Sequence, residues 1–328
     1  MDYLLQHKLF FHRLNIRIAA TRDTNFDAWT GAVLRNNLLY ASEQIKTEDN
    51  LTLFGQINRL PLSPQHQLYK EMSGGFPRGY TLILQSHDDI TNPGCAVKKG
   101  EVVSFSLILT GSIAKWYQHF VQAVDIMCQR GLGHPQCPFL LVDVSEVSVS
   151  GDINLLAAGT TFINSSLRYP HRFENYVSLE KAATLLIRYV TPVSFTKSGT
   201  KHSSAASWQD KCNNFPGFYQ FVRSIAFRFV KLSILYCTEE CKEYNTKEIE
   251  HYLEQAGEAS LQDVVLQKIT LPGVFQKEKR RRINHSGYIG EQRYSGVNPK
   301  YIPLLQFMSG IGVGNEVVYG MGRYEIEI

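Results

Sequence analysis

The chain has 328 residues, 44% of them hydrophobic and 20% charged, with a net charge of +4. That composition is enough for two cored domains or one large one, and it excludes disorder as the default. No apolar run approaches the ~18–20 residues of a membrane helix, and the start MDYLLQHKLFFHR lacks a signal-peptide pattern.

Residues 9–19 alternate. His12, Leu14, Ile16 and Ile18 share one side and Arg13, Asn15 and Arg17 the other, which predicts a strand with one core face and one basic face. A helix is expected over 27–46, with Asp27 as N-cap and Leu34, Leu38, Ala41 and Ile45 inward. Residues 47–77 are rich in turn formers. Strands are expected at 80–85 and 101–110, then a strongly amphipathic helix over 112–130 that stops at Gly131-Leu132-Gly133, then a strand at 138–147.

The second half repeats this order. A strand at 182–190 is followed by helices at 216–236 and 248–255, then strands at 264–271 and 288–296. In the tail, Tyr301, Leu304, Leu305 and Met308 mark a helix face, Gly310, Gly312 and Gly314 break it, and Tyr324, Ile326 and Ile328 alternate as a last strand, with Gly320 and Gly322 at its start. In both halves a helix ends in Gly-x-Gly and feeds a closing strand. The expected fold is α+β: tandem ferredoxin-like (RRM-like) domains over 1–150 and 178–328, with a C-terminal glycine-rich loop. Each sheet would keep one face free for RNA or for another domain.

The glycine loop suits a phosphate in principle. It carries neither G-x-G-x-x-G after a strand nor a Gly-Lys-Ser/Thr P-loop, so a nucleotide site is not indicated. Residues 277–282 (KEKRRR) form the densest basic run, followed by Tyr288, Arg293 and Tyr294; cations with interleaved aromatics suit single-stranded nucleic acid, and a solvated loop is the plainer alternative. Six cysteines (Cys95, Cys128, Cys137, Cys212, Cys237, Cys241) include no C-x-x-C pair, and Cys237 with Cys241 lacks a second pair. A reduced, cytoplasmic, membrane-free protein with no metal and no cofactor is the expectation. Among the histidines, His12 and His119 read as structural, whereas His66 lies in the irregular segment, where an imidazole can reach a substrate.

Four stretches together carry a resemblance. They are Thr30-Gly31-Ala32-Val33-Leu34-Arg35, Ile187-Arg188-Tyr189-Val190-Thr191-Pro192-Val193, Asn284-His285-Ser286-Gly287-Tyr288-Ile289-Gly290, and Gly312-x-Gly314-x5-Gly320-x-Gly322. In this order they resemble the CRISPR-associated repeat-processing endoribonucleases (the Cas-six family of the RAMP superfamily). The resemblance implies a metal-independent endoribonuclease that cuts CRISPR repeat RNA into guide RNAs, with 2′-OH attack leaving a 2′,3′-cyclic phosphate and a 5′-OH. It implies a catalytic histidine in or just after the first helix. This chain has none within 27–46, which makes His66 the nearest candidate for the general base, assisted by Tyr40 and Lys46, with basic residues acting alone as the alternative. RNA would lie against Arg35, Lys279, Arg280, Arg281, Arg282 and Arg293 and against Gly310, Gly312, Gly314, Gly320 and Gly322. A non-catalytic RNA-binding subunit of a CRISPR effector complex, a small-molecule enzyme on the same core, contacts to other effector subunits and a homodimer all stay open at this point.

Overall fold

The computed structural model describes residues 2–26, 29–60, 62–63, 66–72, 76–84, 96–176, 183–195, 217–237, 243–273, 275–276, 281–282 and 284–328. The first sheet is built from β1 (Phe10–Ala20), β2 (Tyr80–Leu84), β3 (Val102–Thr110), β4 (Phe139–Val147) and β5 (Ile153–Ala158). Its strands lie in the order β2-β3-β1-β4-β5, and each neighbouring pair is antiparallel. Between β1 and β2 runs α1 (Thr30–Ser42), and between β3 and β4 runs α2 (Tyr117–Arg130). The chain then repeats the plan. β6 (Ala183–Val193), α3 (Phe218–Tyr236), α4 (Thr246–Leu253), β7 (Ser260–Leu271), β8 (His285–Val297), α5 (Ile302–Ser309) and β9 (Tyr324–Glu327) give a sheet ordered β7-β8-β6-β9. Within each copy the second and third strands lie on one side of the first and the fourth on the other, which is the ferredoxin-like order, present twice.

The alternation of β1 explains its place. Leu14, Ile16 and Ile18 are at most 1% exposed, while Arg13, Asn15 and Arg17 line the opposite face beside Ser106 and Ser145. The helix expected over 112–130 starts as a 3-10 turn, Gly111–Trp116, because Gly111 enters it at φ 52°, and the α-helix proper begins at Tyr117. The helix expected from residue 27 begins at Thr30 with Trp29 as N-cap and no side-chain cap; Asp27 lies outside the described residues. Residues beyond 150, expected to fall outside the first domain, add to its sheet: β5 pairs with β4, Thr161–Phe162 with β5, and His171–Arg172 with β1.

The two copies share one core. Phe307 of α5 packs against Phe11 of β1, Phe173, Tyr176 and Phe229 of α3. Gly310 is a glycine for the same reason, since a Cβ there would lie 2.5 Å from the Phe11 ring. At the far end of α3 the Tyr236 hydroxyl donates to the Pro77 carbonyl at 3.1 Å, and Cys237 packs near Gly111. Burial pushes the Cys237 thiol up to about 12, and Cys241 lies outside the described residues. No described helix is long and apolar enough to cross a membrane.

Candidate nucleic-acid interface

The glycine-rich segment crosses from the second copy to the first. After α5, Gly312 and Gly314 take φ of 92° and 82°, then Val317–Tyr319 forms one 3-10 turn, and Gly320 and Gly322 take 79° and 80°. These values favour glycine. At Gly322 a Cβ would also sit 2.0 Å from the Val313 carbonyl, so two backbone stretches touch there. The N–H groups of Gly310, Gly312, Gly320 and Gly322 are committed to Phe307, Met308, Val317 and Pro192 carbonyls. Of the loop glycines, Gly314 alone keeps an N–H without a partner among the described residues. The segment is therefore a folded clasp, and its glycines act chiefly by permitting close approach.

The clasp seats on the start of α1. The Trp29 indole N–H donates to the Tyr319 carbonyl at 2.7 Å, and a Cβ on Gly31 would lie 1.9 Å from that same oxygen. Below it, Arg323 Nη1 donates to the Leu84 carbonyl at the end of β2 at 3.0 Å. The Trp29 N–H donates to the Pro272 carbonyl, so the entrance of the β7–β8 hairpin is tied to the same corner. The Arg35 guanidinium lies 4.2 Å from the Tyr319 ring centroid, and the His285 ring lies 4.7 Å from it. His285 Nδ1 is 2.7 Å from Glu316 Oε2. An arginine, a tyrosine, a histidine and a carboxylate thus meet where α1, the hairpin and the clasp converge.

The other expected site residues disperse around this corner. Arg35 is half-buried, with Nη1 donating to Asn36 Oδ1 at 3.1 Å. Tyr40, five residues further along α1, is 45% exposed and has the Arg130 guanidinium 3.5 Å from its ring centroid. Lys46 is exposed and bridges to Thr52. His66 is half-buried, and its Nδ1 accepts the Leu68 N–H at 3.1 Å at the start of the short helix Gln67–Glu71. Lys279 and Arg280 lie outside the described residues; Arg281–Arg282 pairs with Phe275–Gln276 as a small hairpin tip. Arg293 is exposed on the open face of the second sheet, opposite Asp263.

On both open sheet faces arginines meet carboxylates, Arg17 pairing with Asp143 on the first. On the second, Arg188 pairs with Glu291 at 2.7 Å and reaches Glu327 at 3.4 Å, and Arg323 pairs with Glu325 at 2.8 Å, so its carboxylates match its cations. On the first, Arg13 Nε donates to Ser106 Oγ at 3.3 Å, and burial together with the neighbouring Arg323 guanidinium holds Arg13 below its ordinary value. Two arginines from different copies are therefore neighbours. His12 and His119 are structural as expected: His12 Nδ1 lies 2.6 Å from the buried Glu146 carboxylate, and His119 packs edge-on against Trp116.

A family model described as the CRISPR-associated endoribonuclease Cas6 matches residues 187–324, the second copy with its clasp. Over that segment the chain is similar to the Cas6 family. A second model, described as an N-terminal domain, matches residues 9–167. No curated protein matches the chain by sequence. Among solved structures, a Cas6 (TTHB231) product complex is 13% identical with a TM-score of 0.53, covering 97% of this chain and 100% of that one. Thermus thermophilus Cas6 is 12% identical with a TM-score of 0.51, covering 97% and 99%. A chain of a partial Cas6-RT-Cas1–Cas2 complex is 11% identical with a TM-score of 0.53; this chain covers 46% of its length and is itself 97% covered. At such identities the likeness is one of fold, and it is the tandem ferredoxin-like fold of Cas6.

Reading the sequence alone missed Tyr319, His285 and Glu316 as a group. His285 stood in one of the four family-like stretches and Tyr319 and Glu316 within the glycine signature, but the 31 residues separating His285 from Glu316 leave no local spacing to read.

Proposed function

We propose that this chain cuts CRISPR repeat RNA into guide RNAs without a metal ion, by attack of a ribose 2′-OH on the adjacent phosphate. The products are a 2′,3′-cyclic phosphate and a 5′-OH. The observation that carries the reading is the corner where the clasp meets α1, with Arg35 over Tyr319 and the Pro272 carbonyl at the end of β7 bonded to the Trp29 N–H of the same corner. A guanidinium beside an aromatic ring offers a phosphate a charge and a base a stacking surface.

In this reading Arg35 faces the scissile phosphate and stabilises the charge that builds on it in the transition state. Arg281, Arg282, Lys279 and Arg280 hold flanking phosphates, and Arg293 and the loop glycines border the path. His66 serves as a hydrogen-bond donor towards the charge that develops on the leaving 5′ oxygen. Its Nδ1 accepts a backbone N–H, which places the proton of the neutral ring on Nε2. Tyr40 and Lys46, on and just beyond the same helix, are the remaining candidates for proton transfer and charge stabilisation.

The test is incubation of the full chain with cognate repeat RNA in EDTA. Cutting at one site with a cyclic-phosphate end is the expected result. Tight, salt-sensitive binding without cutting would instead make the chain a non-catalytic RNA-binding subunit, and absence of RNA affinity would end the reading.

A further inference from the structure

We infer that His285, oriented by Glu316, is the general base that takes the 2′-OH proton; the inference rests on the nuclease reading above. Glu316 is one of the two described non-glycine residues with a positive φ, at 60°. Such a backbone persists where its surroundings hold it, and it is concentrated at functional sites. What it achieves here is placement of the carboxylate 2.7 Å from His285 Nδ1. A carboxylate only accepts, so Nδ1 donates and the lone pair of the neutral imidazole is left on Nε2.

The surroundings fit that role. The His285 ring is fixed on its face by the Tyr319 ring, with centroids 4.7 Å apart, and its side chain keeps 5% of its surface exposed. Nε2 has no partner among the described residues and is not sealed from solvent. Tyr319 also lies under the Arg35 guanidinium, so the base and the phosphate-binding cation share one aromatic partner. His66 has the opposite tautomer, with its Nδ1 filled by a backbone donor. The Nε2 of His66 therefore offers a hydrogen-bond donor, whereas the Nε2 of His285 offers a lone pair.

The step balances. The 2′-O–H bond breaks and its proton passes to His285 Nε2. The 2′ oxygen bonds to phosphorus, the bond from phosphorus to the 5′ oxygen breaks, and that oxygen leaves as a hydroxyl after taking one proton from solvent water. His285 returns its proton to solvent.

The test is single-turnover cleavage of repeat RNA in EDTA by the full chain, with RNA affinity measured alongside. His285→Asn keeps a side-chain N–H for Glu316 but removes Nε2. It is expected to slow cleavage ~10²- to 10⁴-fold with affinity changed by less than about threefold, and His285→Ala is expected to regain part of its rate in added imidazole. Cutting by His285→Asn within threefold of wild type overturns the assignment and leaves the nuclease reading intact. So does a rate that falls only in step with RNA affinity, with no rescue of His285→Ala, since a group that merely props the clasp would behave that way. A wild-type chain that does not cut overturns both.

Discussion

At the scale of single residues, close approach and pairing explain more than exposure does. Gly31 shows the first. Any side chain there meets the Tyr319 carbonyl and the Trp29 indole, both held in place by their mutual hydrogen bond. Gly31→Ala is therefore expected to cost ~1–3 kcal/mol, the usual range for overpacking, and to slow RNA cleavage by unseating the clasp. An unchanged melting temperature and rate would show that the clasp does not need that contact.

Glu146 shows the second. Burial works to raise its carboxyl, but hydrogen bonds from His12, the Arg168 and Tyr169 N–H groups and Asn154 outweigh it and hold the value at about 2. A carboxyl held below its unfolded value, ordinarily about 4.3, stabilises the fold fully above that pH and loses the contribution as pH falls towards 2. Glu146→Gln is expected to flatten the acid limb of the stability curve; an identical limb would contradict this. The sequence exposed half of this pair. Parity turned His12 inward, but nothing local names a partner 134 residues away.

At the scale of elements, the strands and long helices were legible because burial follows their period. β1, α2 and α3 fall within a few residues of where alternation and helical spacing put them. What periodicity could not carry was the use of each face. Each open sheet face was expected to serve RNA or another domain, and the second holds Glu291, Glu325 and Glu327 among its arginines. Cross-strand register, which sequence does not reveal, decides that.

In sequence, the basic run 277–282 sets five cations against one carboxylate, Glu278. Arg281→Ala is expected to weaken RNA binding and to lower the salt slope by roughly one unit. Arg293→Ala, opposite Asp263, is expected to lower it by less. Equal slopes for the two variants would place RNA on the second sheet after all.

At the scale of the molecule, duplication of one strand-helix order was visible before any coordinates, and it gave the tandem fold. The seat of the glycine-rich tail was not. Its glycines suggested an open phosphate cradle, whereas most of their N–H groups are bonded inside the protein, and the segment works as a clasp between copies. That clasp brings Tyr319 and Glu316 of the second copy to Arg35 of the first, with His285 beside them. In the proposed reading the activity depends on both copies being present in one fold, because no single copy holds the whole constellation.

In the proposed reaction the RNA supplies its own nucleophile. The most direct measurement is cleavage in EDTA of a repeat RNA carrying one 2′-deoxynucleotide at the scissile position, beside the all-ribose repeat, with product ends read by mass. That reaction predicts a 2′,3′-cyclic phosphate from the all-ribose repeat and no cutting at the deoxy position despite unaltered binding. Cutting of the deoxy substrate at the same bond would contradict it.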